Sequence, residues 1–450
     1  MVSGGPVAQA GKREAERGVS LGARYDAVRA FTEALCAPLS AEDYVVQSMP
    51  DASPAKWHLA HTSWFFETFV LEPAARAVGV SFAPFHPRFG FLFNSYYVGV
   101  GKRHSRPQRG MLTRPTVAEV YAYRQHVDAR MRALLMEVAG GAHANLKATI
   151  EVGLQHEQQH QELLLTDVKH LLAQNPLRPA LREDGGEHAG GVETGVVWGA
   201  AGTTGAADAA RFIEKEEGVR WIGHAGEGFA FDNESPRHRV FVAAHALADR
   251  PVTCGDYLAF MEDGGYRRAD LWLSEGWEAV QVQGWEAPLY WEREEGDWQV
   301  FTLHGMRAVD PRAPVSHVSF YEADAFARWA GARLPTEAEW EVGAEGLAVE
   351  GNFAESGRLR PAPVTTAGDE GAPRAMFGDV WEWTASAYLP YPGYEAWAGT
   401  LGEYNGKFMS GQMVLRGGSC FTPASHARAT YRNFFPPSAR WQASGLRLAR

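Results

Sequence analysis

Cysteine is scarce in this 450-residue chain, which has only Cys36, Cys254 and Cys420. Three widely spaced thiols exclude a disulfide scaffold or a CxxC zinc site and fit a reducing, cytoplasmic location. Positive charge is also short, since 43 Lys and Arg against 54 Asp and Glu leave a net charge of −11. Non-specific nucleic-acid binding therefore lacks its usual electrostatic driver, and no nucleic-acid partner is expected. No apolar run approaches the ~20 residues of a spanning helix, so no membrane partner is expected either. The segment Met1 to Arg17 lacks the apolar core of a signal peptide. At 45% hydrophobic and 22% charged residues, the composition is that of a folded globular protein. The abundant types are 15 Trp and 16 His, and both need explaining.

At roughly 150 residues per domain the length allows two or three domains. Apolar residues recur at helical spacing from Tyr25 to Leu39. A second helix is predicted from a Ser53 cap and Pro54 through KWHLAHTSWFFETFVL to about Leu71. Pro84 to Arg114 is a long loop rich in Gly, Arg and aromatics, and its aromatic content argues for order. Thr116–Val138 and Leu146–Leu172 give two more helices. Four helices with one long loop suggest a bundle over 20–180. An Ala/Gly-rich linker or insertion follows at 181–212. Residues 213–450 turn to short strands and turns, with helices expected over Glu322–Gly331 and Thr336–Ala344. The fold class is α+β.

His156 and His160 stand four apart in LQHEQQHQELL, on the strongest helical pattern of the chain. That spacing puts both imidazoles on one helix face, close enough to share an ion. Glu162 is positioned by spacing to orient a ligand. An HxxxH pair alone is more often a polar helix face, but apolar residues flank this one on both sides. WHLAH offers His58 and His61 for a third ligand, and periodicity does not decide between them. A three-histidine set suits Zn²⁺, Fe²⁺ or another first-row ion.

These motifs carry a family resemblance. SPAKWHLAHTSWFFETFVL paired with LQHEQQHQELLLTD, and LFNSYYVGVG followed by RPQRGMLTRP, resemble the DinB-like iron domain of ergothioneine-biosynthesis sulfoxide synthases (EgtB-type). GFAFDNESPRHRVFV, GARLPTEAEWE, GDVWEWTASAY and LRGGSC…YRNFFPP resemble the formylglycine-generating-enzyme/sulfatase-modifying domain, a C-type-lectin-like fold. The resemblance runs from about Tyr25 to Arg450, with the insertion as its gap. It implies a nonheme Fe(II) enzyme that uses O₂ to join a thiol sulfur to C2 of the hercynine imidazole, leaving a sulfoxide. It implies His61, His156 and His160 as iron ligands and His58 as a non-ligand. Gln159 falls where the family faces the imidazole substrate, and Asn433 where it holds the hercynine carboxylate. Arg106 and Arg109 match its RxxR clamp for the thiol substrate's carboxylate. Tyr96 and Tyr97 are the candidate proton donors, and Phe434, Phe435 and Trp441 the candidate aromatic wall for the trimethylammonium group.

Family members that use γ-glutamylcysteine carry an acidic residue where this chain has Phe435, so cysteine is the expected donor. Ala443 and Cys254 replace a bulkier aromatic and an Asn, which keeps selenoneine synthase, acting on a selenosugar, as a close alternative. Cys420 has no second Cys nearby for copper, which argues against formylglycine generation itself. With its last residue at Arg450, the chain is not expected to include the methyltransferase domain of ovothiol-type synthases. Outside this chemistry stand an O₂-independent, metal-dependent thiol transferase and a non-enzymatic binding module.

Overall fold

The computed structural model of the protein describes residues 19–183, 209–364 and 371–450. Most of the insertion expected at 181–212 lies outside the described residues. The chain divides into two compact units, Met1–Leu171 with Ala396–Tyr404, and Leu172–Glu395 with Asn405–Arg450. The first unit therefore takes in a short segment from far along the sequence.

Four long helices build the first unit. Helix α1 (Leu21–Cys36) starts one turn before the apolar pattern does, because the Ser20 hydroxyl accepts the Ala23 N–H at 3.1 Å. Every residue of α2 (Ala55–Phe66) is buried, as expected of a helix apolar on most sides. Its chain continues as a π-helical turn, Glu67–Leu71, into α3 (Glu72–Ala77). Ser53 does not cap α2 with its side chain, contrary to expectation. Its hydroxyl instead accepts from Arg109 and its N–H donates to Asp167. The loop after α3 holds a short α-helix, α4 (Phe89–Phe93), and a 3₁₀-helical turn, Arg106–Met111. Helix α5 (Val117–Ala139) opens on a capping box between Thr116 and Glu119. Helix α6 (Lys147–Gln174) is the longest, at 28 residues. Gly153 lets α6 approach α2: a Cβ there would stand 2.5 Å from the Phe66 ring and 3.1 Å from that of Phe65.

The second unit is strand-rich and loop-rich. Strand β1 (Phe212–Lys215) pairs antiparallel with β4 (His245–Ala248), and β2 (Gly218–Ile222) with β3 (His238–Val242). Strands β5 (Trp291–Glu294), β6 (Asp297–Thr302) and β7 (Gly305–Ala308) form an antiparallel sheet. The largest sheet has the order β10 (Asn433–Phe435), β9 (Met413–Arg416), β8 (Trp381–Ala387), β11 (Ser444–Leu446), with only β8 and β11 parallel. Helices α9 (Phe320–Trp329) and α10 (Glu337–Ala344) fall within two residues of expectation, each opened by a capping box. Helices α7 (Cys254–Glu262) and α8 (Ser274–Gln283) were not expected, because each is short and closely followed by glycine. Trp340, Trp381 and Trp383 are fully buried, which accounts for part of the tryptophan content. Trp340 donates its indole N–H to Glu382, which also pairs with buried Arg447. Among the described residues no helix is long and apolar enough to cross a membrane.

Candidate metal centre

His61 on α2 and His156 and His160 on α6 are buried, and one ring nitrogen from each lies within 4.8 Å of the other two. Among the described residues this is the grouping of metal-type donors that comes together. His61 is stacked between Trp57, with centroids 4.5 Å apart, and Trp64, at 5.4 Å. Its Nδ1 donates to the Phe93 carbonyl at 2.6 Å, so Nε2 faces the cluster, 3.1 Å from His156 Nε2. His160 Nδ1 lies 2.9 Å from His58 Nδ1, and His58 Nε2 lies 3.0 Å from Asp167 Oδ2. His58 thus touches a member of the triad from behind.

Burial holds all three rings neutral. It pushes the His61 and His160 pKa values well below the ordinary imidazole range, and the neighbouring histidines add to the effect. His156 falls to about 3, again chiefly by burial, against the pull of Glu157. His156 Nδ1 is buried without a partner. Three neutral imidazoles with converging lone pairs, shielded by Trp57, Trp64 and Phe65, fit a first-row divalent ion with open positions for other ligands.

Glu157, next to His156 in α6, belongs to a second buried cluster. Glu157 accepts from Arg29 at 2.9 Å, Arg124 at 2.6 Å and Thr32 at 2.6 Å. Burial alone would raise its carboxyl, but Arg124 and Arg29 outweigh that and hold it at about 2.

The long loop is ordered around the same helices. Asn94 grips the backbone of Tyr97 in both directions, at 2.8 and 3.0 Å. Lys56 donates to the carbonyls of Leu112 and Pro115. Arg109 is buried, lies 3.3 Å from the centre of the Trp57 ring, and donates to Ser53 and Ser95. Its Nε has no partner. Burial, reinforced by Arg106, lowers the Arg109 pKa to about 8. Arg106 is exposed and donates to the Asp51 carbonyl. Tyr97 is buried against Trp64 and Phe69, and Tyr96 is half-buried beside it.

Two contributors escaped sequence reasoning. Tyr404, from the distant segment of this unit, donates its hydroxyl to Gln159 Oε1. Its ring lies 5.8 Å from His156 and 6.2 Å from Tyr96. Glu403 anchors that segment by accepting the N–H groups of Val98 and Gly99 at 2.9 and 2.8 Å. No local spacing signals a contact across more than two hundred residues. Asp167 is the other, and its signal was present: it stands seven residues, two helical turns, beyond His160. Glu162, chosen instead by spacing, is buried on the same helix.

Asn433, Phe434 and Phe435 form β10 in the second unit. The Asn433 side chain accepts the Phe434 N–H, Phe434 stacks on Tyr388 with centroids 4.0 Å apart, and Phe435 meets Trp441 edge-on.

Comparison with known proteins matches residues 24–164 to the DinB superfamily and residues 206–450 to the sulfatase-modifying factor enzyme 1-like domain. The hercynine oxygenase of Mycolicibacterium smegmatis is 31% identical over 428 residues, covering 90% of this chain and 92% of that protein. That of Mycobacterium tuberculosis is 37% identical over 252 residues, covering 51% of this chain. The match takes in little more than half of that protein's length, 58%. The formylglycine-generating enzyme of Streptomyces coelicolor is 31% identical over 273 residues, covering 50% of this chain and 83% of that protein.

Proposed function

The chain belongs to the hercynine oxygenase family, and on that premise we propose that it is an iron-dependent, O₂-dependent oxygenase forming a C–S bond at C2 of the hercynine imidazole. The product is a hercynine–cysteine sulfoxide, an intermediate of ergothioneine biosynthesis. The observation that carries this reading is the buried, neutral His61–His156–His160 cluster.

In this reading the three imidazoles hold Fe(II). When bound, the ion supplies the redox chemistry for O₂ and acidifies a coordinated thiol. Arg109 binds the carboxylate of the thiol donor, with Arg106 nearby in the same turn. A buried guanidinium held by two hydroxyls and an indole face gains most from an incoming carboxylate, which can take two of its N–H groups. Gln159 faces the imidazole substrate, and Tyr404 fixes its amide by donating to Oε1. Tyr96 and Tyr97 act as proton donors at their hydroxyls, and Tyr404 joins them as a third phenol beside His156. Tyr97 remains a phenol at any working pH, since burial raises its pKa well above the ordinary value. In the second unit Asn433 pairs with the hercynine carboxylate, and Phe434 and Phe435 pack against its trimethylammonium group. Phe435 offers no charge to the amino group of a γ-glutamyl moiety, which favours free cysteine.

The test is to incubate Fe(II)-loaded protein with hercynine and O₂, giving cysteine, γ-glutamylcysteine and a 1-selenosugar in parallel. Mass spectrometry should find the sulfoxide with cysteine and least product with γ-glutamylcysteine. Product from the selenosugar alone reassigns the donor and makes the protein a selenoneine synthase. No new C–S or C–Se bond with any donor, or equal turnover without O₂, overturns the proposal.

A further inference from the structure

Behind the triad, Asp167, His58 and His160 form a buried line. Asp167 Oδ2 accepts the Ser53 backbone N–H at 2.8 Å and faces His58 Nε2 at 3.0 Å. His58 Nδ1 in turn faces His160 Nδ1 at 2.9 Å. All three side chains are under a tenth exposed, so water does not compete for these bonds. The donors and acceptors then follow from elementary chemistry. A carboxylate only accepts, so His58 must carry its proton on Nε2. When that is the only proton on the ring, His58 Nδ1 is left with a lone pair, which requires the proton of His160 to sit on Nδ1. The lone pair of His160 is thereby confined to Nε2. The carboxylate thus sets, through one intervening imidazole, which nitrogen of His160 can bind a metal.

We propose that His58 and Asp167 are positioning residues that fix the tautomer and ring orientation of His160 for metal binding. This rests on the metal reading of the triad given above. His61 is fixed differently, by a single backbone carbonyl, that of Phe93. His156 Nδ1 has no partner. Of the three rings, then, His160 is the one whose Nδ1 meets a polar side chain. Groups behind a ligand of this kind typically carry 10- to 100-fold in metal affinity. Asp167 is also tied to α2 through Ser53, so the same carboxylate links the two helices that carry the triad.

Two measurements on the full-length protein test this. The first needs no variant: long-range ¹H–¹⁵N correlation of the metal-free, ¹⁵N-histidine-labelled protein reads each ring's tautomer. His160 is expected to be protonated at Nδ1 and His58 at Nε2. A His160 ring protonated at Nε2, or averaging both forms, overturns the inference. The second is competition for Fe(II) against a chromogenic chelator under anaerobic conditions. Asp167→Ala, which removes the acceptor, should weaken binding about 10- to 100-fold, while the circular dichroism of the metal-free protein stays that of the wild type. Wild-type affinity in a folded Asp167→Ala protein overturns the inference and leaves the metal reading intact. A wild-type protein that binds no Fe(II) overturns the metal reading, and the positioning role falls with it.

Discussion

Helix α6 contributes to two buried polar clusters from neighbouring positions, and they are built on opposite principles. On one side Glu157 is saturated: two arginines and a threonine satisfy it, and Arg29 in turn reaches Asp128 and Ser63. On the other, three imidazoles stand together without charge, and His156 Nδ1 has no partner. Buried charges that are fully paired are stable where they are, and removing one member strands the rest. Buried lone pairs that converge on each other and on nothing else are incomplete. The first cluster holds the bundle together, and the second leaves room for an ion.

The largest expected effect breaks the comparison on its open side. His156→Ala should abolish turnover and leave the far-ultraviolet circular dichroism unchanged. Unfolding of that variant would show that the histidines serve the core instead. On the closed side, Glu157→Ala should destabilise the protein by about 3–5 kcal/mol, since it leaves Arg29 and Arg124 buried without their shared partner. Denaturant unfolding checks this, and a loss below about 1 kcal/mol would mean that water or Asp128 compensates. A smaller effect concerns Arg109, a buried guanidinium whose Nε has no partner and which donates to hydroxyls, not to a carboxylate. Arg109→Ala should raise KM for the thiol donor by about 30-fold, equivalent to roughly 2 kcal/mol, with Fe(II) affinity within a few-fold of wild type. An equal loss of kcat with KM unchanged would assign Arg109 to the fold. The smallest is Gly153→Ala, where a methyl group meeting the Phe66 ring should cost about 1–3 kcal/mol. Thermal melting would read this, together with a weakened metal site, because α2 and α6 are pushed apart.

Much of this was legible in the sequence because it is local. The HxxxH pair, the helices starting near Thr116 and Thr336, and the aromatic content of the long loop were all local signals. What was not legible depends on distance. Periodicity could not choose between His58 and His61, because both lie on a helix buried all round. The family resemblance made that choice, and the structure groups His61 with His156 and His160 and sets His58 against Asp167. Ser53 looked like a cap until Arg109, from a loop more than fifty residues on, took its hydroxyl. Tyr404 meets the bundle from far along the chain, beside Glu403, which docks on Val98 and Gly99. Gly99 permits that approach: a Cβ there would come within 2.8 Å of Thr400. Asp167 was visible at two turns from His160, yet its meaning required His58 between them.

The central claim is that the incomplete cluster is a metal site, and metal stoichiometry tests it most directly. After anaerobic loading with Fe(II) and desalting, elemental analysis should find one ion per chain in the wild type and none in His61→Ala, both remaining folded. Equal metal content in the two proteins, or none in either, would contradict it.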